Sequence, residues 1–172
     1  CLVSPGNEWL PRPQDLHVAD TRPTSQAAGS LPEGLLALNT GALSLDQINL
    51  MLCNLPVDIT FVDENDEVRF FSQTRERIFD RTPAIIGRSV QNCHPPQSVH
   101  RVQQILDDFR AGSCHVAEFW IQMGGKFVHI RYFALRDGAG KYRGTIEVTQ
   151  DVADIRALQG ERRLLDDRPA NS

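Results

Sequence analysis

The chain has 172 residues, 41% of them hydrophobic, with 18 Lys and Arg against 22 Asp and Glu for a formal charge of -4. That length suffices for one sizeable core plus tails, but not for two full domains. Without a run of Lys or Arg there is no electrostatic basis for a grip on nucleic acid or anionic lipid, and no stretch approaches the roughly 18 to 20 apolar residues of a membrane-spanning helix.

Cys1, Cys53, Cys93 and Cys114 are scattered and form no CxxC pair. This favours a reducing compartment, and the cytoplasm is the expected location. A chain beginning at Cys1 reads as a fragment, with a processed lipoprotein as the lesser alternative.

Residues 1–42 are rich in Pro and Gly, show no sustained period, and are expected to be a tail or linker. Ser44 followed by Gln47 has capping-box spacing, and Leu45, Ile48 and Leu52 fall on one face of the short helix it starts. Val57 to Val62 and Glu67 to Phe71 then read as two strands joined by the acidic turn Asp63 to Asp66. Thr82-Pro83 followed by Gly87 predicts a single helical turn. A longer helix starts at Pro95-Pro96, buries Val99, Val102, Leu106 and Phe109, and stops at Gly112.

Three more strands follow, His115 to Met123, Lys126 to Leu135 and Tyr142 to Val148. Alternation places Ala117, Phe119, Ile121 and Met123 on the face toward the helices, together with Val128, Ile130, Tyr132 and Ala134, and then Ile146 and Val148. The opposite face is expected to carry Glu118, His129, Arg131 and Glu147, with Arg131 and Glu147 as a cross-strand ion pair. Trp120, Phe127 and Phe133 on that face need a cover, either the capped helix or a second copy of the domain. From Val152 to Leu165 an apolar stripe of Val152, Ile155, Leu158 and Leu165 predicts a terminal helix suited to pairing.

The phrases Leu55-Pro-Val-Asp-Ile-Thr-Phe-Val-Asp-Glu, Val90-Gln-Asn-Cys-His-Pro-Pro-Gln-Ser-Val-His100, Ala117-Glu-Phe-Trp120 and His129-Ile-Arg-Tyr-Phe133 resemble the PAS domain of bacterial proteins of the DUF438 type. The likeness runs from about Asn39 to Asp166. It implies an α+β fold in which a five-stranded antiparallel sheet has helices packed on one face, with an N-terminal cap helix and a C-terminal signalling helix. The implied domain spans 43–152, and 153–172 form the terminal helix and tail. The resemblance also implies a pocket that holds haem, flavin, a small acid or nothing, with output through the terminal helix and a homodimer to a downstream signalling partner.

Ligand candidates are His94, His100, Phe119, Ile130 and Tyr132. His94 is the candidate haem-iron ligand, since imidazole ligates iron and titrates near neutral pH. His100 falls opposite the buried stripe of its helix, which directs it toward solvent. The pairs Cys93-His94 and Cys114-His115 invite a zinc reading that their spacing supports weakly. Trp120, Phe127, Phe133, Ile155 and Leu158 are the interface candidates. No motif assembles a nucleophile, base and oxyanion site, so a non-catalytic sensor is expected, with a protein-interaction module whose core is filled as the alternative.

Overall fold

The computed structural model describes residues 32–163. Five strands form one antiparallel sheet: β3 (Asp58–Asp63), β4 (Val68–Phe71), β5 (Val116–Met123), β6 (Lys126–Arg136) and β7 (Tyr142–Asp151), in the spatial order β4-β3-β7-β6-β5. The first and last strands of the chain's sheet thus meet in its middle. Ahead of it lie a hairpin of β1 (Leu35–Leu38) and β2 (Gly41–Ser44) and the helix α1 (Leu45–Asn54). Two 3-10 turns, Pro83–Ile85 and Val90–Cys93, lead to α2 (Pro96–Ala111).

Local chemistry sets the boundaries. At Ser44 the capping box closes in both directions, Gln47 N–H donating to Ser44 Oγ at 3.1 Å and Ser44 N–H to Gln47 Oε1 at 2.9 Å. In the β3–β4 turn, Asp63 Oδ1 accepts from the amides of Asn65 and Glu67 at 2.9 and 3.1 Å, which holds the chain while Asp66 takes a positive φ of 66°. α2 ends at Gly112 in the left-handed region, φ 74°, where a side chain would be strained. Gly144 is required for a different reason: a Cβ there would lie 2.3 Å from the Val62 carbonyl oxygen, so only glycine lets β7 approach β3 so closely.

Two packed clusters brace the sheet against α2. Val62, Val68, Val90 and Leu106 form one, and Phe109, Cys114, Ala117 and Tyr142 the other, with Phe109 fully buried. The stripe expected on the long helix is therefore the one that packs.

Four expectations need correction. The stretch read as tail contains the β1–β2 hairpin; its residues 1–31 lie outside the described residues. The terminal helix, expected over Val152 to Leu165, is the single short α3 (Ala153–Ala157), after which Leu158 leaves helical geometry; Leu165 lies outside the described residues. Five residues cannot present the stripe required for a helix pair, and Ile155 and Leu158 are exposed. α1 packs on β2 and buries none of its own residues, leaving Leu45, Leu50 and Met51 exposed, and Trp120 on the sheet remains exposed as well.

The fourth correction concerns which way β7 faces. Thr145, Glu147 and Thr149 are buried on the α2 side, while Ile146 and Val148 lie on the outer face opposite Phe133 and Arg131. A register shift between Leu135 and Arg136 is the cause. Arg136 pairs with Tyr142, but Leu135 pairs with Gly144, so one residue is skipped and every later β7 side chain changes face. Arg131 and Glu147 are therefore on opposite faces and form no pair.

Candidate functional site

A cavity of about 910 Å³ lies between α2 and the inner face of β5, β6 and β7. Val102, Ile105 and Phe109 of α2 form one wall. Ala117, Phe119 and Ile121 of β5 with Ile130 and Tyr132 of β6 form the other, and Phe79, Arg81, Cys93 and His94 close the end from the connecting segment. Alternation puts the β5 and β6 residues there: Phe119 and Ile130 are register partners and so project to the same side. The Phe119 and Tyr132 rings lie 5.6 Å apart and tilted by 35°.

One end of this space is ionic. Glu147 Oε2 meets Arg81 Nη2 at 3.3 Å, with 11% and 13% of the two side chains exposed, and Thr149 Oγ1 donates to Glu147 Oε1 at 3.2 Å. Beside them, buried Asp58 accepts from Thr74 Oγ1 at 2.5 Å and from the Ile78 amide at 2.7 Å. Arg77 donates to the carbonyl of Phe79 at 3.1 Å and to that of Ser72. Two carboxylates thus balance two guanidiniums, as buried charge requires. Burial pushes the Glu147 carboxyl above its ordinary range, against the pull of Arg81.

His94 follows the second 3-10 turn, half-buried at the cavity wall. Burial first, and the nearby Arg81 charge second, hold its imidazole below its usual pKa, so it is neutral at neutral pH and retains a lone pair for a donor or a metal. Burial moves the Tyr132 phenol strongly upward, which keeps it protonated. Its hydroxyl makes no hydrogen bond to any described residue. The phenol is a donor without an acceptor among the described residues, on a residue that lines the cavity.

The structure thus gathers His94, Phe119, Ile130 and Tyr132 around one cavity. His100 is exposed on α2 and does not line it, because helical phase turns it away from the stripe. Cys93-His94 and Cys114-His115 do not converge: among the described residues no cluster of three or more His, Cys, Asp or Glu is placed to hold a metal. Of the interface candidates, Trp120 is 53% exposed, Phe133 is partly covered and stacked by the Arg131 guanidinium at 5.7 Å, and Phe127 carries the Arg156 guanidinium 3.8 Å above its ring. Arg131 itself lies on this outer face, across from Glu118, whose carboxylate meets His129 Nε2 at 2.5 Å.

Sequence reasoning missed Arg81, and it placed Glu147 on the wrong face. The signal that could have placed Glu147 is the run Gly144-Thr-Ile-Glu-Val-Thr149, in which Thr145, Glu147 and Thr149 recur at period two, as do Asp58 and Thr60 of β3, which pair with Thr149 and Glu147. Two polar period-two rows on central strands are costly unless buried groups satisfy one another.

The architecture agrees with what comparison finds. Residues 48–153 match the family model for a PAS domain. The C-terminal domain of a Streptococcus mutans protein is 35% identical and superposes with a TM-score of 0.69, over 73% of this chain and 97% of that one. The PAS domain of Bordetella pertussis BvgS is 15% identical, with a TM-score of 0.49 over 66% and 91%. A PAS domain from Colwellia psychrerythraea is 11% identical, with a TM-score of 0.48 over 64% and 98%. No curated protein matches the chain. With its hairpin-first sheet, its hollow beneath α2 and a family match across more than half its length, the chain belongs to the PAS domain family.

Proposed function

We propose that this PAS domain is a non-catalytic sensor whose cavity takes a small molecule, and that occupancy is relayed through the end of β7 and a homodimer to a signalling partner. The cavity carries this reading: some 910 Å³ remains where a filled-core interaction module would be packed by Phe119, Ile130 and Tyr132. The quoted sequence phrases support placing it among DUF438-type proteins. The non-catalytic reading is supported at Cys93, whose Sγ contacts the Ser89 carbonyl oxygen at 3.7 Å and has no hydrogen bond to an imidazole among the described residues.

Relay needs a binding-sensitive element tied to the exit of the domain. Tyr132 and Glu147 are register partners on β6 and β7, and the same two strands end in a shared clasp. There Asp151 Oδ1 accepts from the Phe127 and Ala153 amides at 3.1 and 3.0 Å, and the Val152 amide donates to the Phe127 carbonyl at 2.9 Å. A ligand that favours one arrangement of this clasp over another shifts its population; equal affinity for both shifts nothing. Trp120 and the neighbouring outer face would serve the dimer.

Haem remains a second reading because neutral His94 lines the cavity and would be its iron ligand, the group then supplying gas or redox sensing. Native mass spectrometry and an absorption spectrum on one purified sample test the whole proposal. A retained small-molecule mass on a dimer is the expected result, and a Soret band lost in His94→Ala would identify haem. Bare protein that takes up no apolar probe would establish the interaction module instead.

A further inference from the structure

We infer that the cavity takes an amphipathic anion, an apolar body with an acidic head such as a carboxylate, and that Arg101 holds the head at the mouth. The inference rests on the ligand-binding reading above and names the class of ligand. The walls decide the body: Ile105 of α2, Phe119 and Ile121 of β5 and Ile130 of β6 offer only carbon, and an apolar occupant releases that surface from water. The head follows from the polar groups that remain uncommitted. Ser98, Arg101, Ile105 and Asp108 all line the cavity and recur at steps of three and four, so Arg101 stands on the ridge of α2 that runs along it. Arg101 is exposed and has no ion pair or hydrogen bond among the described residues. Deeper in, Arg81 keeps its Nε buried without a partner although its Nη2 meets Glu147 at 3.3 Å, and the Tyr132 hydroxyl has no acceptor among the described residues. The uncommitted groups of the interior are therefore donors.

The acids that line the cavity are engaged or stand apart from Arg101. Glu147 is met by Arg81 and Thr149, and Glu118 by His129 Nε2 at 2.5 Å. Asp108 accepts from Ser113 Oγ at 3.3 Å and lies about 10 Å further along the helix axis than Arg101, at 1.5 Å per residue. Asp80 is exposed, on the connecting segment beside Arg81. An ammonium head would bring only donors to a space whose uncommitted groups are donors already, with exposed Asp80 for its counter-charge. An acidic head brings acceptors. Held at Arg101 it also keeps its contact with water while the body lies on the carbon walls, so the cost of burying a charge does not arise.

Decanoate, decanol and decylammonium share one chain and differ in the charge of the head, and they separate the alternatives when titrated into the full chain by calorimetry at neutral pH and low salt. Decanoate is expected to bind about two- to fivefold tighter than decanol, the range an exposed ion pair supports, with decylammonium the weakest. Added salt should narrow that lead, because the pair is open to solvent. In Arg101→Gln decanoate should fall to the affinity of decanol, while decanol is unchanged. Decanoate no tighter than decanol, decylammonium tightest, or a decanoate lead that survives either salt or Arg101→Gln would each overturn the proposal while leaving a ligand pocket in place. Binding of none of the three would instead overturn the ligand reading beneath it.

Discussion

The two ends of the cavity solve the same problem with opposite chemistry. At the β3–β7 end, Asp58, Arg77, Arg81, Glu147 and Thr149 fill the interior with charge and pair it among themselves, with Arg81 Nε left as a buried donor without a partner. At the β5–β6 end, Phe119, Ile121 and Ile130 line the space with carbon and leave it unfilled. The ionic end is therefore intolerant of change, since any lost partner strands a buried charge, whereas the apolar end already lacks contacts and has fewer to lose.

The comparison can be broken most forcefully at Glu147. Glu147→Ala leaves Arg81 buried without its counter-charge and should cost about 3–5 kcal/mol in urea unfolding, while the paired Arg81→Met, Glu147→Leu variant should recover much of that loss. A smaller loss in the single variant would show that water reaches Arg81 freely and that the two ends do not differ as argued. At the apolar end, Ile130→Ala should cost about 2 kcal/mol by the same measurement, the low end for a buried isoleucine, because one of its sides already faces the cavity.

A subtler contrast is in pH. His94 has a lowered folded-state pKa, so below the unfolded histidine value the unfolded chain binds the proton more readily than the native one. Its contribution to stability is present above that value, about 6.5, and is lost as pH falls toward the folded pKa. His115 is shifted the same way by burial and by Arg136, so the test is the difference between wild type and His94→Gln, whose stability should decline less on acidification from pH 7. Equal declines would place His94 in contact with water. The smallest effect belongs to Tyr132→Phe, which removes a hydroxyl that bonds to nothing described; thermal melts of ligand-free protein should agree within about 0.5 kcal/mol.

Much of this was legible before any coordinates. The capping box at Ser44, the acidic turn at Asp63 and the proline-led helix with its Leu106 and Phe109 stripe are local signals, set by residues within a few positions of one another. So are the faces of β5 and β6, which two glycines join in a tight turn, and with them the presence of Phe119, Ile130 and Tyr132 at one site. The terminal helix was over-read because a periodic stripe is necessary for a helix but does not supply the packing surface that stabilises one.

What the amino-acid order determined by itself, then, was the set of elements and the apolar half of the cavity, since both follow from short-range period and turn chemistry. Only the tertiary structure decided the ionic half. A single residue skipped beside Arg136 turns Glu147 inward, and Arg81 meets it across 66 positions of chain. Neither the skip nor the encounter is encoded in the spacing of near neighbours, because both arise where β7 is caught between β3 and β6 and must satisfy two registers at once.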